Sequence, residues 1–338
     1  MEKLKVAVFG SGAVGTVIGG FLGSGGVEID LVDREKSVVD AILSKGVKVT
    51  GGRHYEAAAR AYLPQDMPSG YDVVFLCTRI TDNHETVPFV REKLSPDGVI
   101  VACQNGIPEP YIAEVVGDGR TLGCTLEFGA TLLEPGLSEV TTQKDHVSVH
   151  VGKMKGVSSG QAMKVRNLLG AAGTVHYESD LLRARWVKLI MNCSISSLST
   201  IIGEDWSGVT SGSSRARGLC AEAMKEAIDV AHAEGVDFEG YWGINPDREL
   251  YWDGWFQKMR LKRRLPDIFQ YHSHIVSVML QDIRRGRKTE VDAINGHVAA
   301  RGKVRGVPTP VNDRILEIIH KEEAGEIAPS SQNLKLFF

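Results

Sequence analysis

"KVAVFGSGAVGTVIGGFLGSG", residues 5–25, is the stretch on which the reading of this chain turns. "KVAVFG" reads as a strand and "AVGTVIGGFLGSG" as a helix. Between them Gly10, Gly12 and Gly15 form G-x-G-x-x-G. The pattern alone is weak, but here it follows a strand and opens a helix at the start of a β-α-β unit, which makes it strong. The first glycine permits the tight turn, the second lets backbone approach a pyrophosphate, and the third allows close helix–strand packing. The helix opening at Ala13 and Val14 supplies free N–H groups and the positive end of its dipole to phosphates.

The same rhythm continues outward. "VEIDLVDR" (27–34) reads as a second strand and "SVVDAILSKG" (37–46) as a helix ending on a glycine. "YDVVFLCTR" (71–79) is a strand, "NHETVPFVREKLS" (83–95) a helix and "GVIVACQNG" (98–106) a strand. Alternation of this kind predicts a doubly wound, mostly parallel sheet covered on both faces, a Rossmann-type α/β domain. "TLGCTLEFGATLLEPG" (121–136) and "HVSVHVGK" (146–153) are expected to extend it antiparallel. Beyond about residue 180 the pattern turns helical. "SDLLRARWVKLIMNCSISSLSTIIG" (179–203) reads as one long helix, followed by helical runs at 213–236, 274–286, 289–306 and 311–326. The expected division is therefore 1–180, binding dinucleotide, and 181–338, an all-α substrate and dimerisation domain. Helical domains of this kind often pair, which makes a homodimer the assembly to test. The tail, 327–338, is expected at the periphery, ordered in part by its last aromatics.

Bulk properties narrow the class. The chain has 338 residues, too many for one small core, with 43% hydrophobic and 24% charged residues. Net charge is −3, without the basic bias of a nucleic-acid partner. The local basic run "KMRLKRRLP" (258–266) reads as a solvated helix face. Five cysteines without CxxC spacing, mostly in apolar runs, read as reduced core thiols, not as a zinc site. No apolar stretch reaches the roughly 18 residues of a membrane span, and no signal peptide is read before the first strand. The expectation is a cytoplasmic enzyme with neither membrane nor metal.

Candidate site residues fall in four groups. Asp33 ends the second strand, 23 residues after Gly10, where a carboxylate would accept from an adenosine ribose and favour NAD(H). Arg34 and Arg79 could instead grip a 2′-phosphate, and together they tip the balance toward NADP(H), with NAD(H) open. Asn105, in "ACQNG", lies at the carboxyl edge of the sheet, where ligands of such sheets collect. Lys188, Asn192 and Ser196 are spaced i, i+4, i+8 and fall within about 80° of one another on a helix. Ser199 falls between Lys188 and Asn192 in angle. That polar stripe in an apolar helix reads as lining a cleft or as a lysine snorkelling at a helix edge. Glu290 and Asp292 open a later helix with Asn295 further along, and a carboxylate near Lys188 would keep its ammonium charged.

Together these pieces resemble the ketopantoate reductase (2-dehydropantoate 2-reductase) family over nearly the whole chain. The resemblance rests on "GSGAVG", "CQNG", "WVKLIMN" and "MLQDIRRGRKTEVDAING". It implies a Rossmann domain followed by a helical domain and NAD(P)H-dependent reduction of a small 2-oxo acid. The implied reaction is 2-dehydropantoate to pantoate, in pantothenate biosynthesis. It implies Lys188 as general acid and Glu290 as an essential glutamate. Asn105 and Asn192 would serve the cofactor and substrate site, and Arg34 and Arg79 the phosphate of NADPH. The sequence departs from the family pattern in three places. Ser196 stands where a second asparagine is usual, Val278 stands where a serine precedes "MLQD", and Asp33 sits beside Arg34. Ser196 and Val278 at substrate positions bear on selectivity more than on hydride transfer. The long segment 237–274, with three of the five tryptophans, reads as a lid, a dimer contact or a satellite cluster under a long loop. Three alternatives stay open: the same chemistry on a bulkier 2-oxo acid, a β-hydroxy acid dehydrogenase, and a non-catalytic dinucleotide sensor.

Overall fold

The computed structural model describes residues 4–153, 156–170, 173–238 and 244–337. Its contacts divide the chain into two compact units, 1–181 and 182–338. Trp242, one of the three tryptophans of the long segment, and the terminal Phe338 lie outside the described residues.

The first unit opens with β1 (Val6–Phe9), α1 (Ala13–Ser24), β2 (Ile29–Val32) and α2 (Lys36–Lys45). Then come β3 (Val47–Gly51), β4 (Tyr55–Ala57), β5 (Arg60–Tyr62), β6 (Tyr71–Leu76), α3 (Asn83–Lys93), β7 (Leu94–Ala102) and α4 (Glu109–Val116). It ends with β8 (Thr121–Glu127), β9 (Ala130–Glu134), β10 (Leu137–Val140), β11 (Ser148–Lys153), α5 (Ser159–Leu168) and β12 (Thr174–Glu178). The main sheet runs β12-β11-β8-β7-β6-β1-β2-β5. Every pair is parallel except β11 with β8. From β5 to β8 this is the doubly wound order, whose ligand crevice lies where the strand order reverses, at β1 and β6. Strand periodicity explains the two-sided core. Val6, Val8, Val73, Phe75, Val99 and Val101 join one apolar cluster, while their neighbours Ala7, Phe9, Val74, Leu76, Ile100 and Ala102 join another.

A second sheet, β4-β3-β10-β9, was not expected. "TLGCTLEFGATLLEPG" is not one strand: it breaks at Phe128–Gly129, so β8 stays in the main sheet while β9 joins the small one. The physical reason is α1, whose apolar outer face needs a cover. A Cβ on Gly23 would overlap that of Ala57, and one on Gly20 would overlap Val49, so β3 and β4 lie directly against the glycine-rich helix.

The second unit contains α6 (Leu181–Met191, its first residue belonging to the first unit), α7 (Ser197–Ile202), α8 (Trp206–Thr210), α9 (Ser214–Ala233) and α10 (Pro246–Glu249). α11 (Trp255–Ile268), α12 (Val278–Arg284), α13 (Val291–Arg305) and α14 (Pro310–Glu323) complete it. The expected single helix over 179–203 is interrupted. Residues Asn192–Ser196 form a π-helical turn between α6 and α7. Such a turn takes an extra residue, so the stripe drawn at 100° per residue does not continue past Met191. Ser199, expected on that stripe, is fully buried and its hydroxyl donates to the Ser196 carbonyl at 2.9 Å. Segment 244–274 rests in part on α9: Trp252 donates its indole N–H to the Ala221 carbonyl at 3.0 Å, and Lys258 lies 4.9 Å from its ring. Trp255 and Phe256 are exposed and stack edge-on to each other. In the tail, Leu334 is buried, Phe337 is half-buried, and Asn333 supplies hydrogen bonds. Asn333 donates to the Glu322 carboxyl at 3.1 Å and to the Ala328 carbonyl at 2.9 Å. All five cysteines are free, and four are buried. Among the described residues no helix is long and apolar enough to cross a membrane.

Candidate active site

In the first unit, backbone bonds knit the carboxyl ends of neighbouring strands into one edge. The Cys103 N–H donates to Leu76 O (3.0 Å), Cys77 to Phe9 O (2.8 Å), Gly10 to Val32 O (2.8 Å) and Asp33 to Tyr62 O (3.1 Å). This edge brings the turns of Asn105, Arg79, Gly10–Gly15 and Asp33 side by side. Gly10 has φ +98°, the left-handed region that favours glycine, and a Cβ there would sit 2.8 Å from the Thr78 nitrogen. A Cβ on Gly15 would overlap the Gly10 carbonyl. Gly12 differs: its Cβ would meet nothing within 4 Å. Gly12 caps α1 with no side-chain bond, and the first turn, Ala13 and Val14 included, carries no acid. First-turn N–H groups of a helix have no intrahelical partner, no side chain caps them here, and the space at Gly12 is open, which fits a pyrophosphate.

Asp33 is fastened to this turn. Its carboxylate accepts from the Ser11 N–H at 2.9 Å and from the Glu35 N–H at 3.0 Å. Each oxygen keeps a second lone pair, which suits ribose hydroxyls. Arg34 stands in solvent, its side chain 80% exposed and 3.8 Å from Glu35. Arg79 is half-buried and directly precedes the short turn Ile80–Asp82. Asn105 is half-buried beside Gly106, whose φ is +76°. Sequence reasoning missed its support. Buried Gln104 and Asn83 exchange amide hydrogen bonds at 2.6 and 3.1 Å, and Gln104 also donates to the Thr78 carbonyl at 3.0 Å. The signal was present, since Gln104 stands inside the quoted "CQNG".

In the second unit, α6 and the π turn carry Lys188, Asn192 and Ser196. Trp186, Val187, Leu189, Ile190, Met191, Cys193 and Ile195 are each 2% exposed or less. Lys188 and Asn192 alone from Trp186 to Ser196 are half-buried. Ser196 is 7% exposed, and its hydroxyl donates to Asn192 Oδ1 at 3.3 Å. Glu290 is buried at the N-terminus of α13. It does not cap the helix: Thr289 Oγ1 accepts from the Val291 N–H at 3.1 Å, and Thr289 in turn donates to Glu323. Asp292 turns outward to His320, 3.0 Å away. Val278 is half exposed. The adjacent Ser277 is buried, caps Leu280 N–H at 3.0 Å and lies 2.6 Å from Thr200 Oγ1, so its hydroxyl is already committed. Among the described residues no cluster of His, Cys, Asp or Glu is arranged to hold a metal ion.

Comparison with known proteins covers both units. Residues 6–156 match the model of the ketopantoate reductase PanE/ApbA family, and residues 180–323 match the model of that family's C-terminal domain. The 2-dehydropantoate 2-reductase of Pyrococcus abyssi is 28% identical over 329 residues, covering 96% of this chain and 99% of the relative. That of Archaeoglobus fulgidus is 26% identical over 327 residues, covering 96% of this chain and 100% of the relative. Among solved structures, a ternary complex of D-mandelate dehydrogenase with NADH and anilino(oxo)acetate superposes with a TM-score of 0.80 at 23% identity, covering 95% of this chain and 99% of that one. A ketopantoate reductase from Ralstonia eutropha JMP134 superposes at 0.77 and 22% identity, covering 96% of this chain and 99% of that one. The chain belongs to the ketopantoate reductase PanE/ApbA family.

Proposed function

We propose that this protein reduces a 2-oxo acid to the 2-hydroxy acid with a nicotinamide cofactor, 2-dehydropantoate being the first substrate to test. The observation that carries the reading is Lys188 with Asn192 one turn on, half-buried in a stretch whose other side chains are closed to solvent. An ammonium held there has a function that justifies its partial desolvation. The bound dinucleotide supplies hydride from its reduced nicotinamide. Lys188 stabilises the charge that develops on the ketone oxygen and delivers the proton to it. Ser196 occupies Asn192 Oδ1, so the Asn192 Nδ2 end is left to donate to the substrate. Glu290, at a helix N-terminus that favours its charge, orients the lysine or the substrate hydroxyl. The Gly10–Gly15 turn holds the pyrophosphate, Asp33 the ribose, and Asn105 the nicotinamide end. Arg34 and Arg79 support a preference for NADP(H) over NAD(H).

Val278 favours a second reading, in which a bulkier or more apolar 2-oxo acid is the natural substrate. A half-exposed valine offers only an apolar contact, and Ser277 is spent on Thr200 and the cap of α12. The relative that binds anilino(oxo)acetate is compatible with this. Initial rates with NADPH and NADH across a panel of 2-oxo acids, for the wild type and Lys188→Ala, test both. The substitution should lower turnover by about 10²–10⁴ with cofactor affinity retained. Near-normal turnover would refute the role of Lys188, and strong preference for 2-dehydropantoate would remove the second reading.

A further inference from the structure

Cys193 lies inside the wide turn that follows Lys188. In an unbroken α-helix its carbonyl would accept from the Ser197 N–H. Here the Ser197 N–H bonds the Asn192 and Ser194 carbonyls instead, the residues on either side of Cys193. The Cys193 carbonyl accepts from Asn295 Nδ2, on α13, at 2.8 Å. Asn295 also accepts from the Ser197 hydroxyl at 2.6 Å and donates to Asn312 Oδ1 at 3.0 Å. Cys193, Ser197, Asn295 and Asn312 are fully buried.

The orientation of these amides follows from one fixed point. Glu226, on α9, accepts from the backbone N–H of Val311 (2.8 Å) and of Asn312 (2.9 Å). As an acceptor it must face Asn312 Nδ2, 2.8 Å away. Asn312 therefore turns Oδ1 toward Asn295, Asn295 turns Nδ2 toward Asn312 and Cys193, and its Oδ1 is left for Ser197. Both N–H donors of the Asn295 carboxamide are used, and its Oδ1 shares the Ser197 hydroxyl with the Asn192 carbonyl, 3.0 Å from that hydroxyl.

We infer that Asn295 is a positioning residue: its buried carboxamide holds the π-helical turn open at Cys193 and thereby sets where Asn192 and Ser196 stand relative to Lys188. Without it the Cys193 carbonyl loses a donor while fully buried. The direct relief is for the turn to close to an ordinary helical one. That change rotates the residues on one side of it by about 100° relative to the other. From Trp186 through Ile201 every side chain but Lys188 and Asn192 is buried, so these two half-buried side chains are the ones with room to shift.

The inference rests on the function proposed above, and one set of variants separates the two. In steady-state reduction of 2-dehydropantoate with NADPH, Asn295→Ala should lower kcat roughly tenfold or more while the Kd for NADPH is unchanged. Asn192→Ala combined with Asn295→Ala should be within about twofold of Asn192→Ala alone, because Asn295 acts through Asn192. A merely structural role would lower Tm and leave the two effects multiplicative. Unchanged kcat in Asn295→Ala, or multiplicative losses, overturns the inference while Lys188→Ala still tests the function. Normal turnover in Lys188→Ala overturns both. Should Asn295→Ala not fold, Ser197→Ala enters the same cycle, with an expected loss of about threefold.

Discussion

Gly12 and Gly15 carry the same letter for different reasons. A Cβ at Gly15 would collide with the Gly10 carbonyl, while one at Gly12 would enter open space. Gly12→Ala should therefore fold with a Tm close to wild type yet raise the Kd for NADPH about tenfold or more, since its methyl group occupies the phosphate cradle. Gly15→Ala should cost several kcal/mol of stability, on the order of an overpacked core site. Fluorescence titration alongside thermal melts checks both, and equal NADPH affinity in Gly12→Ala would remove the cradle. The fingerprint was legible at this scale because its three glycines, the strand before them and the helix after them all lie in one short stretch of chain. Ser277 was not. Only its bond to Thr200, 77 residues away in sequence, reveals that it cannot stand in for a serine at position 278.

At the scale of elements, parallel strands and their helices followed from apolar runs and turn residues. The π turn did not, because nothing in "NCSIS" differs from helix. It exists because partners on α13 and α14 satisfy what a wider turn leaves open. The extension β8-β11-β12 holds a second hidden device. Buried His150, on β11, lies 2.9 Å from Glu127 and 2.6 Å from Glu178. Burial alone would lower its pKa, but hydrogen bonds to Glu127 and Glu178 outweigh burial and raise it from 6.5 to about 9. A proton held more tightly in the fold than out of it contributes fully below about 6.5, and that contribution is lost as pH rises through about 9. Tm should thus fall by roughly 5 °C between these pH values in the wild type and much less in His150→Gln. Parallel curves for the two proteins would mean the clamp contributes nothing.

For the whole molecule, two units with their own apolar cores imply two partly independent transitions on heating. NADPH at about 100 times its Kd adds about 2.7 kcal/mol to whichever unit holds it. Differential scanning calorimetry should show the transition of unit 1–181 rising by roughly 5–10 °C with a smaller change in the other. An equal rise in both would assign cofactor contacts to the helical unit as well and overturn the assignment made from the glycine turn. Arg34→Ala with Arg79→Ala should abolish any advantage of NADPH over NADH in the same measurement.

The sequence by itself determined the doubly wound sheet, the glycine turn at the end of β1, the change to helix near residue 180, and the residues on which the proposed chemistry rests. These are set by periods of two and 3.6 residues and by local backbone demands, which a single stretch of chain contains. Tertiary structure alone decided the second sheet against α1, the wide turn after Lys188, the commitment of Ser277 to Thr200, and the Glu226–Asn312–Asn295 chain behind Cys193. Each depends on a partner tens of residues away that satisfies a buried group or covers an apolar face, and no local pattern records who that partner is.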